Sequence, residues 1–266
     1  MSGQATANGR MRLVILTCME REIASRCLPE LCANPALDVA MVILAHGGSP
    51  KRSSLLFRKL RKIARIGILG AINGVRMRPW YHDHEAEPIG PLCARLGVPF
   101  FETDFINCDR TRDLFRESRA DLGLSLGNGY IAPSVFSIPR LGMINIHTEI
   151  LPDYQGAQSV IWPLHDGRSE TGFTIHRIAK EIDAGDILYQ ERYPIEFRAT
   201  LAETVAHMMA ISRERVPKAF SLVCEHFDEL AAKAMPQGRH PGRTTPTYLQ
   251  FRRMLRNHDQ LRDAGR

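Results

Sequence analysis

Short apolar runs alternate with segments of helical periodicity through the first two thirds of the chain, and this alternation constrains the fold more than any other feature. The apolar runs at 12–17, 39–45, 122–126 and 143–147 have the length of buried strands, and apolar residues between them recur every three or four positions. Such alternation predicts βαβ units on a largely parallel sheet. In sheets of this kind, ligands bind at the carboxyl ends of the strands.

The last quarter of the chain follows a different pattern. Residues 194–196 close the alternating region, 201–227 have the periodicity of a long helix that Pro217 can interrupt, and 248–261 that of a basic helix. A loop rich in proline and glycine separates the two helices. We therefore predict an α/β domain at 11–197 and a helical C-terminal extension at 198–266.

Composition narrows the class of protein. No run reaches the roughly 18 uncharged apolar residues that a membrane span needs, and the apolar run at 13–16 is too short for a signal-peptide core. The six cysteines form no Cys-x-x-Cys pair, which is typical of reduced thiols. We expect a cytoplasmic protein with a sizeable core and no membrane partner.

The net charge of +6 is concentrated in two places. Between Lys51 and Trp80 nine residues are basic and none is acidic, and a second basic cluster comprises Arg252, Arg253, Arg256 and Arg262. Solvated helical faces, a phosphate-binding rim and an RNA contact are all compatible with these clusters. Three glycines within the apolar stretch 65–74 predict that 51–80 is a basic insertion or mobile flap.

The residues with catalytic chemistry lie between 145 and 187. On a strand, Asn145 and His147 point to the same face and Ile146 to the other. A carboxamide donor beside an imidazole can stabilise a developing oxyanion and handle a proton. Asp183 and Asp186 flank Gly185 in a loop from which a carboxylate can face the same cleft. The alternative is a structural core histidine with two aspartates that cap the loop.

A rival motif is His82-Asp83-His84. In an extended segment the two histidines share a face and could bind a metal. No Cys/His pair at zinc spacing accompanies them. We therefore expect an exposed polar loop and no metal site.

Four ordered motifs distinguish these interpretations: Asn145-Ile-His147, the Leu-Pro-Asp-Tyr-Gln-Gly run at 151–156, the Thr-Gly-Phe-Thr-Ile-His run at 171–176, and the Asp-Ala-Gly-Asp run at 183–186. In this order and at these separations they resemble the signature of the folate-dependent formyltransferases, which include the glycinamide ribonucleotide, methionyl-tRNA and nucleotide-sugar enzymes. The resemblance covers 120–195 well, the earlier strands loosely and 51–80 not at all. It implies a Rossmann-like, mostly parallel sheet flanked by helices.

The resemblance also implies roles for individual positions. The family's catalytic residues fall on Asn145, His147 and Asp183. The pterin ring of 10-formyltetrahydrofolate would lie between two segments of this chain, formed by Gly129, Tyr130 and Ile131 and by Ala179, Lys180, Glu181 and Ile182. His176 matches a second family histidine that lines the site and supports its geometry, and we assign it to substrate binding together with Tyr154 and Glu149. No metal is implied.

The implied chemistry is attack of an acceptor amine on the formyl carbon. Asn145 and a protonated His147 would donate hydrogen bonds to the charged oxygen that develops. Asp183 would hold His147 in its charged form and help to remove the amine proton through water. Neither a metal nor a covalent nucleophile is required.

Three departures from the family pattern narrow the substrate. Glu149 stands where the family usually has a serine, and it either turns outward into solvent or holds a cationic or hydroxyl-rich acceptor. Residues 17–22 contain no glycine to form the phosphate loop of the glycinamide ribonucleotide enzymes. The roughly seventy residues after Pro194 predict helix and loop, whereas the methionyl-tRNA enzymes continue into a β-rich domain that contacts tRNA.

The leading hypothesis is therefore a 10-formyltetrahydrofolate-dependent N-formyltransferase acting on a small amine, either an amino sugar nucleotide or a hydroxylated amino acid. The acceptor can carry phosphate, the 51–80 segment is expected beside it, and a homodimer is compatible. Nucleic acid is the less favoured partner. The alternatives are a methionyl-tRNA formyltransferase-like enzyme without the usual C-terminal domain, a formyltetrahydrofolate hydrolase, and a folate-binding protein without turnover.

Overall fold

The computed structural model describes residues 9–47, 52–157 and 159–264. These residues form a seven-stranded sheet in the order β3-β2-β1-β4-β5-β6-β7. The strands are β1 Met11–Thr17, β2 Leu37–Ala45, β3 Phe100–Thr103, β4 Leu122–Ser125, β5 Met143–His147, β6 Glu170–Arg177 and β7 Ile187–Pro194. The first five strands pair in parallel and the last two add antiparallel. The predicted Rossmann-like, mostly parallel sheet is confirmed.

Helices cover the sheet and extend beyond it. They are α1 Ile23–Ala33, α2 Arg52–Arg76, α3 Ile89–Leu96, α4 Asp109–Ser118, α5 Pro133–Phe136, α6 Trp162–His165, α7 Leu201–Glu225, α8 Phe227–Ala232 and α9 Tyr248–Ala264. No helix in the described part of the chain is long and apolar enough to cross a membrane.

The central strands are nearly continuous apolar runs because both faces of the sheet are covered. One face packs against α1 and α7 through a core that includes Leu13, Leu124, Ile144 and Phe220, and the other face packs a smaller core around Phe115. β5 is therefore held from both sides, and its polar residues can lie only near its carboxyl end. This arrangement fixes the position of Asn145 and His147.

The C-terminal part is helical, as predicted. Thr200 begins α7 with a capping box, in which its hydroxyl accepts from the Glu203 amide and the Glu203 carboxylate accepts from the Thr200 amide. The helix continues through Pro217, so the predicted break at this residue does not occur. α9 packs on α6 and α2, and Met254 contributes to a third core with Met77 and Trp162.

The basic segment differs from the predicted flap. Residues 52–76 form helix α2, which changes direction at Gly67, where φ is 76°. Only glycine adopts this backbone conformation without a steric cost, so Gly67 divides the helix into two arms. The glycines at 70 and 74 instead permit close packing, because a Cβ at Gly70 would lie 3.0 Å from the Pro246 carbonyl oxygen and one at Gly74 2.8 Å from Thr245 Cγ2.

Candidate active site

Asn145 and His147 lie on one face of β5, at its carboxyl end. Ile144 and Ile146 point to the opposite face and pack in the α7-side core. β6 runs antiparallel beside them and places His176 directly opposite Asn145 and Thr174 opposite His147. The period of two along both strands therefore brings one amide and two imidazoles together on the same face of the sheet.

His176 is buried and orients Asn145. Burial lowers the pKa of His176 to about 4, an effect that the nearby charge on Asp183 only partly opposes. The ring is therefore neutral at pH 7, and its Nδ1 donates to the Arg177 carbonyl oxygen at 2.8 Å. Nε2 then has only a lone pair to offer, so it accepts from the Asn145 amide nitrogen at 3.3 Å. The second N–H of the Asn145 side-chain amide can donate to another acceptor.

His147 is fixed by the turn that follows its strand. Its Nε2 lies 2.7 Å from the Tyr154 carbonyl oxygen, and because a carbonyl only accepts, Nε2 carries a proton. Nδ1 faces Asp183 Oδ2 at 3.7 Å. That distance is an ion-pair distance and exceeds the length of a direct hydrogen bond. Nδ1 is therefore the nitrogen that remains for a reacting group.

Asp183 completes the cluster from the loop between β6 and β7. Its Oδ2 accepts from the Gly156 amide at 2.9 Å, and its Oδ1 lies 3.8 Å from His176 Nε2. The backbone of Asp183 is left-handed, with φ of 54°, a conformation that aspartate adopts more readily than most residues. Gly185 keeps the loop closed against β6, because a Cβ there would lie 2.0 Å from the Arg177 carbonyl oxygen.

Taken together, these groups can perform acid–base chemistry without a metal ligand set. Asn145 supplies a neutral donor, His147 a proton carrier, and Asp183 a carboxylate within ion-pair distance of the imidazole. In the described part of the chain, no three His, Cys, Asp or Glu side chains form a group that could hold a metal ion. An amide donor and an imidazole–carboxylate pair meet at the end of a strand. Such groups can support the transfer of a group that passes through an oxyanion.

The structure does not agree with the substrate-binding role predicted for Glu149. Its side chain has no exposed surface and lies toward the α7 side of β6, where Thr171 donates to its Oε1 at 2.7 Å. The Ile150 amide donates to Oε2 at 3.3 Å. Burial raises the pKa of Glu149 well above its usual value, which the bond from Thr171 only partly offsets. A carboxylate in this position cannot reach an acceptor in the cleft.

Tyr154 and His176 also differ from their predicted assignment to substrate binding. The ring of Tyr154 is buried in the third core, and the guanidinium of Arg243 lies 5.9 Å from its centre. Its contribution to the cluster is its carbonyl oxygen, which accepts from His147. His176 lies behind Asn145. Both residues thus contact the cluster from behind, in agreement with the supporting role that the resemblance implied for His176.

The two predicted carrier-binding segments flank the cluster on neighbouring parts of the sheet. Residues 129–131 follow β4, and Asn107 holds them by donating to the Tyr130 carbonyl oxygen at 2.9 Å and accepting from the Ala132 amide at 2.7 Å. Residues 179–182 precede Asp183 in the loop after β6. Tyr130 and Ile182 are large apolar side chains that stay exposed, one on each segment.

The His82-Asp83-His84 motif serves the structure. Asp83 is buried and accepts two hydrogen bonds from Arg26, at 2.7 and 2.9 Å, which hold its pKa below the usual value. His82 Nδ1 lies 3.4 Å from the Glu22 carboxylate. The motif therefore ties the segment after α2 to α1, as an ion-paired turn and not as the freely exposed loop that was expected.

A cavity that the sequence did not predict lies beside the turn at 153–156, with Asp153 in its wall. It has a volume of about 520 Å³, within the roughly 300–1,000 Å³ typical of small-molecule sites. Gly156, whose amide binds Asp183, bridges to Arg243 in the cavity wall. Two polar atoms of the wall, Trp162 Nε1 and Thr245 Oγ1, are buried and have no hydrogen-bond partner among the described residues. Residues lining the cavity include Arg65, Ile66, Asp153, Trp162, His240 and Arg243.

The groups that the sequence analysis missed are mainly backbone atoms. The Tyr154 carbonyl, the Gly156 amide and the Arg177 carbonyl each position a site side chain, and the residue type does not reveal such a role. Only the glycine at 156 carries a signal. Its φ is 109°, and a Cβ would lie 2.3 Å from the Arg243 carbonyl oxygen.

The structure thus combines a Rossmann-like α/β fold with an amide, an imidazole and a carboxylate near the carboxyl end of a central strand. Residues 111–220 match the family described as formyl transferase. A methionyl-tRNA formyltransferase of Porphyromonas gingivalis is 29% identical over 167 residues, which cover 62% of this chain and 50% of that protein. One of Deinococcus radiodurans is 36% identical over 132 residues, covering 46% of this chain and 41% of that protein.

Solved structures agree at the level of the fold. The phosphoribosylglycinamide formyltransferase of Anaplasma phagocytophilum superposes with a TM-score of 0.58 at 20% identity, covering 81% of this chain and 87% of that one. The Streptococcus pneumoniae protein of the same name has a TM-score of 0.55 at 15% identity, covering 82% and 99%. Residues 111–220 are therefore similar to the formyl transferase family, and the rest of the chain shares the fold of these structures. The chain spans about half the length of the curated relatives that it matches.

Proposed function

We propose that this protein transfers a formyl group from 10-formyltetrahydrofolate to the amine of a small molecule. The observation that carries the proposal is the convergence of Asn145, His147 and Asp183 within one set of contacts on the face of β5 and β6. A protein that only bound a folate would not need an amide donor, an imidazole and a carboxylate in that arrangement.

Asn145 is the group best placed to stabilise negative charge on the transferred carbonyl oxygen. His176 accepts one of its amide protons, which leaves the second N–H directed by the same bond. A donor that is already held in place needs little reorganisation during the reaction. Removing one such donor typically raises the activation barrier by about 2.7–4 kcal/mol. His176 is thus a positioning residue for Asn145.

His147 and Asp183 are suited to proton handling. Nε2 of His147 is committed to the Tyr154 carbonyl, so the transferable proton is the one on Nδ1, which faces Asp183. A positive charge on the imidazole would be balanced by the carboxylate, whose position the Gly156 amide fixes. The 3.7 Å gap between them accommodates proton transfer through a bound water better than a direct hydrogen bond.

The carrier supplies an activated formyl group, and the flanking segments fit its flat ring. Tyr130, in the segment after β4, and Ile182, in the segment after β6, present exposed apolar surface. At Gly129 no atom lies within 4 Å of the position that a Cβ would occupy, so a planar ring can approach the backbone there. We assign carrier binding to 129–131 and 179–182 on these grounds.

The 520 Å³ cavity is the proposed acceptor site. Its wall shares the turn 153–156 with the catalytic cluster, since Tyr154 binds His147 and Gly156 binds Asp183. Arg65 and Arg243 line the cavity and outnumber its one carboxylate, Asp153, which favours an acceptor with a phosphate or carboxylate group. Arg65 belongs to α2, so the basic segment would contribute to acceptor selection as the sequence suggested.

A tRNA acceptor is the second candidate. The similar curated proteins are methionyl-tRNA formyltransferases, and arginines lie on the exposed surface of both α2 and α9. The two acceptors predict different footprints. A tRNA would need both basic helices and would bind with a steep salt dependence, whereas a small amine needs only the cavity.

The direct test mixes the protein with 10-formyltetrahydrofolate and a panel of amines and follows the release of tetrahydrofolate. We expect release that depends on an amine of low molecular weight. Release without any amine would identify a hydrolase, and release only with aminoacylated tRNA would identify the second candidate. Absence of folate binding by calorimetry at millimolar ligand would exclude formyl transfer.

The acceptor site is tested in the same assay. Replacing Arg65 with Ala should raise the acceptor KM about tenfold, the size of one charge-assisted contact, without changing folate affinity. Arg116→Ala on α4 is the matched control, because it removes an equally exposed arginine far from the cavity. Equal KM values for the two variants would place the acceptor elsewhere.

A further inference from the structure

Helix α2 has an inner face that packs on the protein and an outer face that lies on the surface. Ile66, Gly70, Asn73 and Met77 are buried and recur every three or four residues, so they form the face that packs on the protein. Gly70 and Gly74 bring this face against 245–247. The rest of the helix circumference lies on the surface.

That outer surface is apolar, which is unusual for a helix in water. Four branched side chains between 68 and 75 are half or more exposed: Ile68 at 73%, Leu69 at 54%, Ile72 at 50% and Val75 at 58%. Leu60 and Ile63 add exposed apolar surface before Gly67, and Leu249 at the start of α9 is 76% exposed. Thr247, just before it, lies against Gly70. Apolar patches of this kind on a surface mark interaction sites.

Cations surround the patch. Arg61, Lys62, Arg65, Arg76 and Arg78 are all exposed, and the whole of 51–80 contains no acidic residue. Within the described ranges no carboxylate forms an ion pair with any of these five. Burial, followed by the nearby charges of Arg65 and Arg78, lowers the pKa of Lys62. The cations therefore repel one another, and their charge is left for an external partner.

We propose that the outer face of α2 docks on an anionic lipid surface, with its aliphatic side chains in the acyl boundary and its cations among the headgroups. An amphipathic helix of this composition lies in the plane of a membrane interface. The chain would lie on the membrane without spanning it. This inference departs from the expectation of no membrane partner, and it does not depend on the proposed reaction.

Other occupants fit the patch less well. Nucleic acid engages exposed aromatic rings by stacking, whereas this patch is built from isoleucine, leucine and valine. A second copy would meet the same face in a symmetric contact and would bring the two sets of cations together. An anionic lipid surface satisfies both the apolar side chains and the charge.

The experiment is flotation of the full chain with vesicles of phosphatidylcholine alone or with about one third phosphatidylglycerol. We expect binding to the anionic vesicles and not to the neutral ones, weakening as salt is raised. The double variant Ile68→Gln/Ile72→Gln should weaken binding at least about tenfold, because each buried aliphatic side chain contributes on the order of one decade. Glutamine is a good helix former and preserves α2.

The matched control is Leu222→Gln/Met235→Gln, which removes two side chains of similar exposure outside α2. It should bind like the unchanged protein. The proposal is overturned by any of three results: no vesicle binding at low salt, equal binding by the α2 variant and the parent, or a concentration-dependent dimer that the α2 variant abolishes while vesicles go unbound. Binding of RNA but not of vesicles would equally exclude it.

Discussion

The proposed catalytic cluster and helix α2 are built in opposite ways. Each side chain of the cluster is buried or half-buried and is fixed by neighbouring groups, three of which are backbone atoms. α2 contacts the rest of the protein through one stripe, and its remaining surface carries cations and exposed aliphatic residues. The cluster tolerates little change in geometry, whereas the outer face of α2 can change without disturbing the packing below it.

Residues 111–220, which match the family described as formyl transferase, contain the whole cluster and exclude α2. Chemistry at a reacting carbon requires groups held within a fraction of an ångström, so the sequence around them is constrained. A surface that selects a partner can differ among proteins that share the same chemistry.

The largest effects are expected from the cluster itself. Asn145→Ala, His147→Ala and Asp183→Asn should each lower kcat about 100–1,000-fold, the range seen when a preorganised donor is lost. Because the three residues act as one unit, the double variants should lose far less than the product of the single losses. Steady-state kinetics of tetrahydrofolate release, with circular dichroism to check folding, measure both.

Asp186→Asn is the matched control for Asp183→Asn. It makes the same change three residues further on, in the same loop, and should keep kcat within about twofold, as for a change outside the site. If Asp183→Asn also retained near-full kcat while folded, the assignment of the site would be wrong. The contrast drawn above between a catalytic cluster and the surface helix α2 would then no longer hold.

A second prediction concerns the loop that carries Asp183. Gly185→Ala should lower the free energy of unfolding by about 3 kcal/mol, because its Cβ would overlap the Arg177 carbonyl, a backbone atom that cannot move aside. Activity should fall as well, since Asp183 shifts with the loop. Gly238→Ala has open space around its Cβ and should change neither quantity beyond about 0.5 kcal/mol. Denaturant unfolding distinguishes the two variants.

The sequence predicted the fold and singled out three residues that the structure brings together, but it did not predict their surroundings. Strand alternation identifies β1, β2, β4 and β5 because their apolar runs are buried on both faces. The motif spacing selects Asn145, His147 and Asp183, whose catalytic role stays a prediction. Glu149 and Tyr154 were assigned to the substrate because residue type and position do not tell which face of a turn a side chain takes. α2 was predicted as a flap because its three glycines suggest mobility, whereas two of them allow close helix packing.

The buried position of His176 predicts a pH dependence of stability. Its folded pKa of about 4 lies below its ordinary value of 6.5, so between these values the unfolded chain binds a proton that the folded protein does not. Above pH 6.5 His176 is neutral in both states and does not reduce the free energy of unfolding. As the pH falls from 6.5 toward 4, the free energy of unfolding decreases because the unfolded chain gains a proton that the folded protein does not. The loss should be on the order of 3 kcal/mol, from the shift in pKa.

The measurement is the free energy of unfolding of the parent minus that of His176→Gln, followed from pH 4 to 7. The difference should rise with pH up to about 6.5 and then level off, because the variant lacks the titrating ring. The groups that face His176 are Asn145, His147 and Asp183, and all of them are present in both proteins. A flat difference would mean that the folded protein protonates His176 as readily as the unfolded chain does.

Glu149, on the opposite side of β6, should give an effect of the opposite sign. Burial raises its pKa, so above the usual value of 4.5 the folded protein holds a proton that the unfolded chain has released, and stability falls as the pH rises. Glu149→Gln removes this titration and keeps an acceptor for Thr171. The variant should therefore gain stability relative to the parent as the pH increases from 5 to 8, with kcat and acceptor KM within about twofold.

Glu149→Ala would instead leave the Thr171 hydroxyl unpaired and lower the free energy of unfolding by about 1–3 kcal/mol. If Glu149→Gln raised the acceptor KM strongly while the fold stayed intact, Glu149 would belong to the acceptor site after all, and the division of β6 into a catalytic face and a structural face would fail.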